Sequence, residues 1–235
     1  DNDGLTNLEE YTYGSMAWKV DSDDDGMPDG WEVVNGYNPA LLLDGILDED
    51  NDGITTSYEY YYGTDTRDSL SVPDPSQFVY VDCNASEGGI GTEGSPYKTL
   101  SEALMYASDF SMIIVREGIY KGESNKNLSM GWFRIHLIGE SGPKKTIIDC
   151  ENDGSALQFY GGSQLTIIDG ISIVNANSSG IYIYSGSPTI TRCIITSCAN
   201  EGGYGGGLHI SSSSMILRNS LVAKNSADNY GGGIY

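Results

Sequence analysis

The chain has 235 residues, and its hydrophobic fraction of 39% is enough for a folded core in one large domain or two smaller ones. Its formal net charge is -21, and residues 1–75 alone hold 19 acidic and 2 basic residues. This balance argues against nucleic acid or an anionic membrane as a partner, and no apolar run reaches the roughly 18 residues that span a bilayer.

The stretch DSDDDGMPDGWE, residues 21–32, has the ligand spacing of an EF-hand calcium loop. Carboxylates occupy loop positions 1, 3, 5, 9 and 12, a backbone carbonyl is expected at position 7, and Gly26 permits the sharp turn at position 6. The expected calcium ligands are Asp21, Asp23, Asp25, Met27, Asp29 and Glu32. The alternative is an acidic turn that is merely solvated.

The pattern recurs, which favours calcium over a solvated turn. Residues 48–59, DEDNDGITTSYE, supply Asp48, Asp50, Asp52, Ile54, Thr56 and Glu59 at the same positions. A third copy opens the chain without its position 1 ligand, and its expected ligands are Asp1, Asp3, Leu5, Asn7 and Glu10. We therefore expect Ca2+ as the cofactor, with the occupancy of the first loop left open.

Each acidic loop is followed by a short helical run that ends in glycine, at Gly14, Gly36 and Gly63. Each unit thus predicts half of an EF-hand, and the cadence resembles the bacterial thrombospondin type 3-like and dockerin-like calcium repeats. We expect Trp18, Trp31, Leu41–Leu43 and the tyrosines of YEYYYG to pack this segment, or else to form an aromatic patch for sugars. Prolines 73 and 75 indicate a linker, so residues 1–75 form the first predicted domain.

Residues 76–235 predict a mainly β domain. After a strand at FVYVDC, Thr99 and Glu102 form a capping box for an amphipathic helix over about 99–108. Short strands then repeat in three columns. The first contains TIIDC, TIIDG, TITRC and MILRN, the second contains ALQFY, GIYIY, GLHIS and GIY, and the third contains ISIVN, IITSC and LVAKN. Three strands per 20 to 27 residues predict the coils of a parallel β-helix with the helix as its N-terminal cap.

This part of the chain resembles the right-handed parallel β-helix of the pectate-lyase-like superfamily. The GGGL and GGGI openings and the SLVAKN segment are similar to repeats of polymorphic outer-membrane and adhesin-like proteins. The resemblance implies the fold, whereas the activity stays open because lyases, hydrolases and passive surface stalks share this architecture.

One line of charged residues is a candidate for catalysis. If the first column stacks as written, Asp149, Asp169, Arg192 and Arg218 follow one another on successive coils. Such a line could hold calcium against an acidic sugar and supply a base, or it could be a structural ladder in which Asp169 pairs with Arg192. We favour the ladder. His136 and His209 each stand alone in a strand pattern, and we interpret both as structural.

The four cysteines leave one pair for a disulfide. Cys150 and Cys193 would lie two coils apart, about 9.6 Å, and Cys193 and Cys198 about 16 Å apart across an extended strand. Cys83 with Cys150 is then the pair that remains, and we interpret Cys193 as a buried thiol.

The sequence favours a non-enzymatic, calcium-binding structural or adhesive protein, secreted or on the cell surface, because extracellular calcium suits such loops. The alternatives are a polysaccharide lyase or glycosidase, and a carbohydrate-binding module. The expected partners are calcium and a polysaccharide or cell-surface glycan. Because the last coil stops at GGGIY and the first loop lacks a ligand, a head-to-tail homo-oligomer or filament is a further expectation.

Overall fold

The computed structural model describes residues 1–161 and 165–235, which form two compact units, Asp1–Asp74 and Pro75–Tyr235. No helix within these residues is both long and apolar enough to cross a membrane.

The first unit contains three helices of seven residues, α1 (Asn7–Tyr13), α2 (Asp29–Asn35) and α3 (Thr56–Tyr62). Each follows an acidic loop and ends at a glycine with left-handed backbone, which confirms Gly14, Gly36 and Gly63 as the predicted caps.

Few apolar side chains form the interior of the first unit. The buried ones are Met27, Tyr37, Ile46, Ile54 and Tyr58. Trp31 stacks on Tyr37 with ring centroids 5.6 Å apart. The expectation that Trp18, Leu41 and Leu43 pack there is wrong, because Trp18 is 79% exposed and both leucines are also exposed, whereas Leu42 is half-buried. So small a core leaves much of the unit's stability to its polar groups.

The second unit begins with β1 (Val79–Val81) and α4 (Leu100–Tyr106). The predicted capping box is present, since Thr99 accepts a hydrogen bond from the Glu102 backbone and Glu102 accepts one from the Thr99 backbone. Leu100 and Ala103 are fully buried in the core of this unit. The helix thereby covers apolar surface of the first coil.

Three parallel sheets follow. The first contains β1, β2 (Ser111–Val115), β5 (Ile135–Gly139), β8 (Ile167–Asp169), β11 (Thr189–Thr191) and β15 (Ile216–Arg218). The second contains β3 (Gly118–Tyr120), β6 (Thr146–Asp149), β9 (Ser172–Val174), β12 (Ile194–Thr196) and β16 (Leu221–Ala223). The third contains β4 (Leu128–Ser129), β7 (Leu157–Phe159), β10 (Ile181–Tyr184) and β14 (Leu208–Ser211). A short pair joins β13 (Ala199–Asn200) to β17 (Ser226–Ala227).

Each strand of these sheets pairs in parallel with strands from neighbouring coils, which confirms the predicted mainly β fold with a parallel β-helix. Side chains that point inward stack in rows, and one row runs through Ile113, Leu137, Ile168 and Ile190, all fully buried. Burying each such side chain stabilises the fold by about 1.5–3 kcal/mol.

The first predicted column is wrong at TIIDC, which lies in a different sheet from the other three segments, whereas TIIDG, TITRC and MILRN do stack as β8, β11 and β15. TIIDC forms β6 in the second sheet, where Ile148 lies opposite Ile173, whereas TIIDG forms β8 in the first sheet. Asp149 therefore lies opposite Val174 and does not share a line with Asp169. TIIDC and TIIDG have nearly identical sequences because side chains alternate between inward and outward positions in the same way in both sheets.

The predicted Cys83–Cys150 disulfide is also wrong, because all four cysteines are free thiols. The Cys83 sulfur lies against Gly118, and Gly118 is opposite Thr146 in the second sheet. Cys150 is four residues further along that strand direction, which is about 13 Å. Cys193 is buried, as predicted.

Candidate metal centres

We call residues 1–10, 21–32 and 48–59 the first, second and third acidic loops. In the second loop, aspartate oxygens hold the backbone in its turn. Asp21 accepts hydrogen bonds from the backbone N–H of Asp25 at 3.1 Å and of Gly26 at 2.9 Å, and Asp25 accepts one from Met27 at 2.9 Å. Gly26 has φ of 94°, where a side chain would be strained.

Other carboxylate oxygens, from the second loop and from Asp44, lie close to one another. Asp23, Asp25, Glu32 and Asp44 bring one carboxylate oxygen each to within 4.8 Å of one another. Asp25 and Glu32 are 0% exposed, and neither oxygen of Glu32 has a hydrogen-bond partner in the described chain. Four converging acceptors cannot satisfy one another when ionised, and a buried charge without compensation costs several kcal/mol. A cation at their centre would satisfy all four.

The pKa values of these carboxyl groups also reflect the lack of a compensating charge. Burial, followed by repulsion from Asp25, raises the pKa of Glu32 to about 10. Burial and the charge of Asp23 raise the pKa of Asp25 to about 8, and burial raises that of Asp23 to about 6. Without a cation, these groups are held in surroundings that disfavour their ionised forms.

The third loop repeats this arrangement. Asp48 accepts from the Gly53 backbone at 3.1 Å and Asp52 from the Ile54 backbone at 2.8 Å, while Asp48, Asp50 and Asp52 form a group within 4.8 Å. Glu59 is fully buried, and burial and the charge of Asp50 raise its pKa to about 7. These residues fit a second cation.

In the first loop the structure groups Asp1, Asp3 and Glu10 within 4.8 Å. Asp3 accepts from the Leu5 backbone at 2.8 Å, and Glu10 is buried with its Oε1 unpartnered among the described residues. This group has three carboxylates, one fewer than the group formed by Asp23, Asp25, Glu32 and Asp44.

The position 9 carboxylate of the second loop, Asp29, is not part of that loop's group. Both oxygens of Asp29 accept hydrogen bonds from Ser22, at 2.7 and 2.6 Å. Thr56 donates its hydroxyl to the Leu47 carbonyl at 3.2 Å, and Asn7 is exposed at the start of α1. At position 7, Met27 and Ile54 bury their side chains in the first unit's interior.

Asp44 was not predicted from the sequence, because it lies outside all three loops. One oxygen accepts from the Asn38 backbone at 2.8 Å, and the other joins the second loop's group. The neighbouring Gly45 permits this approach, because a Cβ there would lie 2.4 Å from Asp25 Oδ2 and 2.3 Å from Ser57 Oγ. The available signal was an Asp-Gly pair within LLLDGIL that no loop position explained.

The catalytic candidates do not form one group. Asp169 is buried and accepts two hydrogen bonds from Arg192, the Nε one at 2.6 Å, so the predicted pairing is present. His136 does have an acidic neighbour, contrary to expectation, since its Nε2 lies 3.5 Å from Asp169. Asp149 pairs with Lys121 at 3.0 Å in the second sheet, and Arg218 is exposed.

Comparisons with known proteins add little. No protein-family model matches the sequence, and a comparison with curated proteins finds no match. Among solved structures, a chain described as "Rhamnogalacturonan lyase" is 12% identical with a TM-score of 0.29, over 65% of this chain and 56% of that one. The chain therefore spans just over half the length of that lyase, and a likeness this weak carries no argument about activity.

Proposed function

We propose that residues 1–74 bind calcium in the second and third acidic loops, and that the chain is a calcium-stabilised structural or adhesive protein outside the cell. One observation carries the proposal. Glu32 and Asp25 are fully buried and direct carboxylate oxygens without hydrogen-bond partners, among the described residues, into a shared centre. Folding would not place ionised carboxylates there unless a cation compensated them.

The donor chemistry favours calcium over other metals. All the converging atoms are carboxylate oxygens, which suit hard cations, and no sulfur or imidazole ligand joins any of the three groups described above. Calcium accepts six to eight oxygen ligands in flexible geometry, whereas magnesium keeps several waters and demands an octahedron. Four clustered carboxylates fit the larger ion better. The resemblance to thrombospondin type 3-like repeats supports the same choice.

The β-helix then serves as a rigid scaffold. The side chains first considered for catalysis do not form one group, because Asp149 and Asp169 belong to different sheets and Asp169 is hydrogen-bonded to Arg192. This placement supports a structural or adhesive role over a lyase or glycosidase. The exterior of the cell is the setting where calcium is abundant enough for loops of moderate affinity.

Hydrogen exchange of the whole chain, in millimolar calcium and in excess chelator, tests the proposal. Peptides from residues 1–74 should lose protection when calcium is removed, because the metal contributes to the folding free energy of this unit. Peptides from residues 75–235 are the internal control and should keep theirs. Equal protection of residues 1–74 in both conditions would reject calcium as the ligand that stabilises them.

A titration calorimetry experiment with calcium and with magnesium identifies the ion. We expect calcium to bind more tightly and with a stoichiometry of two or more. A preference for magnesium, or no binding of either ion, would overturn the assignment.

A further inference from the structure

The outer face of the third sheet carries aromatic rings that the proposed function does not use. Along this sheet, the outward positions opposite one another are Ser129, Gln158, Tyr182 and His209. The inward neighbours Leu157, Ile181 and Leu208 are fully buried and fill the bore. The outward rings are therefore not needed to complete the core.

The rings form a continuous surface over successive coils. Tyr160 lies 5.8 Å from Tyr182, and Tyr182 lies 5.0 Å from His209, measured between ring centroids. Tyr235 lies 5.5 Å from His209 and stacks on Tyr204 at 4.7 Å. We define the aromatic face as Tyr160, Tyr182, Tyr184, Tyr204, His209 and Tyr235.

The aromatic face is exposed and uncharged. Tyr160, Tyr184 and Tyr235 are each at least half exposed. Burial lowers the pKa of His209, which favours the neutral form of its side chain. The polar groups of the outward positions are hydroxyls, the Gln158 amide and the His209 imidazole.

We propose that the aromatic face binds a neutral polysaccharide. The C–H faces of sugar rings stack on tyrosines, while tyrosine hydroxyls and the Gln158 amide can hydrogen-bond to sugar hydroxyls. Coils stack at about 4.8 Å, so successive coils present ring surface at intervals comparable to the length of one sugar unit. The outward positions of the third sheet named above carry no lysine or arginine, which disfavours an acidic polysaccharide as the ligand.

Affinity electrophoresis of the whole chain through gels that contain single polysaccharides tests this proposal. The panel holds neutral polymers (a glucan, a mannan, a galactan and a xylan) and acidic ones (alginate and polygalacturonate). We expect retardation by at least one neutral polymer and by neither acidic one. The double variant Tyr182→Ala/Tyr204→Ala should bind about tenfold more weakly or worse.

Matched variants separate recognition from folding. Tyr182→Phe/Tyr204→Phe keeps the rings and should keep most of the affinity. Tyr106→Ala removes an exposed tyrosine of the same unit that stacks on Tyr97 instead, and should bind like the parent chain. Binding should also persist in chelator, since the aromatic face lies wholly within Pro75–Tyr235, so this result is independent of the calcium sites.

Three outcomes would overturn the proposal. They are the failure of every neutral polymer to retard the parent chain, retardation by acidic polymers alone, and equal binding by the alanine and phenylalanine variants. Sedimentation of the parent chain tests a further outcome that would also overturn it, in which a second copy of the chain occupies the aromatic face. A self-association that the alanine variant abolishes would assign the aromatic face to a second copy of the chain instead.

Discussion

Asp44 and Glu32 bring carboxylate oxygens to within 4.8 Å of each other, although Glu32 closes the second acidic loop and Asp44 lies in the segment that leads to the third. Any cation held by this loop would thus also tie down the connection between the two loops. The proposed calcium site of the second acidic loop would therefore depend on the folded unit and not on a twelve-residue loop alone.

Asp44→Asn should weaken calcium binding at the second site, because it removes one negative charge from the group. Loss of an outer partner alone lowers metal affinity by roughly 10- to 100-fold, and we expect at least the lower end of that range here. Calcium titration calorimetry measures the change. Asp24→Asn is the matched control, since Asp24 is exposed, pairs with Lys19 at 2.7 Å and is not part of the group. Equal loss in both variants would contradict a role for Asp44.

Gly45→Ala should also weaken the second site, by displacing its ligands. A Cβ at Gly45 would lie 2.4 Å from Asp25 Oδ2, so either the Asp44 segment or Asp25 must move. Gly94→Ala is the control, because a Cβ there meets nothing within 4 Å and should change stability by no more than about 0.5 kcal/mol. Thermal unfolding with and without calcium compares the two. A calcium-induced stabilisation of Gly45→Ala as large as that of the parent chain would refute the crowding argument.

Ligands that lie within one loop could be predicted from the sequence, whereas a ligand from another part of the chain could not. Asp23, Asp25 and Glu32 lie within one loop, where the winding of the chain brings side chains at positions 3, 5 and 12 round to one centre. Asp44 belongs to no such pattern, and Asp29 has the correct spacing but is bound by Ser22. Spacing alone does not show which oxygens are already satisfied.

The β-helix shows the same limit. Alternating apolar residues identified the strands and the fold, but the segments TIIDC and TIIDG carry the same alternation in different sheets. Register depends on how many residues each turn between strands takes, and Ile148 pairs with Ile173, 25 residues on, instead of with a residue about 20 on. The error placed Asp149 beside Asp169 and hid the contact between His136 and Asp169.

Arg192→Ala should destabilise the β-helix by about 1–3 kcal/mol, because it leaves the buried Asp169 carboxylate without its two hydrogen bonds from Arg192. Arg218→Ala is the control, since Arg218 is exposed on the same sheet. Denaturant unfolding of the second unit measures both. Equal effects would show that the bond to Asp169 adds nothing to stability.

The contacts of Asp169 also predict how the stability of the β-helix changes in acid. Burial would raise the pKa of Asp169, but hydrogen bonds from His136 and Arg192 outweigh it and lower the pKa below its ordinary value. A carboxyl group whose pKa is lower in the folded state contributes stability above its unfolded pKa, near 3.9, and loses it as the pH falls through the folded value. Asp169→Asn should therefore be less stable at pH 7 and lose less stability than the parent chain between about pH 5 and pH 2. Parallel pH profiles for the two chains would contradict this assignment.

The thiols provide a test of the corrected cysteine assignment. Cys150, Cys193 and Cys198 are buried, and burial raises the pKa of Cys150 and of Cys193 to about 12. Because the thiolate is the reactive form, these three should resist a thiol reagent at neutral pH in the folded protein. Cys83 is only half-buried beside Gly118, so one thiol per chain should react, and slowly, since burial also raises its pKa. In denaturant without reductant, all four should react.

Cys83→Ser identifies the reacting group, because it should abolish labelling of the folded chain and reduce the denatured count from four to three. A disulfide between Cys83 and Cys150 would give a different pattern. The denatured parent chain would then show two reactive thiols, and Cys83→Ser would show three because Cys150 would be released. The parent count alone thus decides between four free thiols and one disulfide, and the variant shows which cysteine the solvent reaches first.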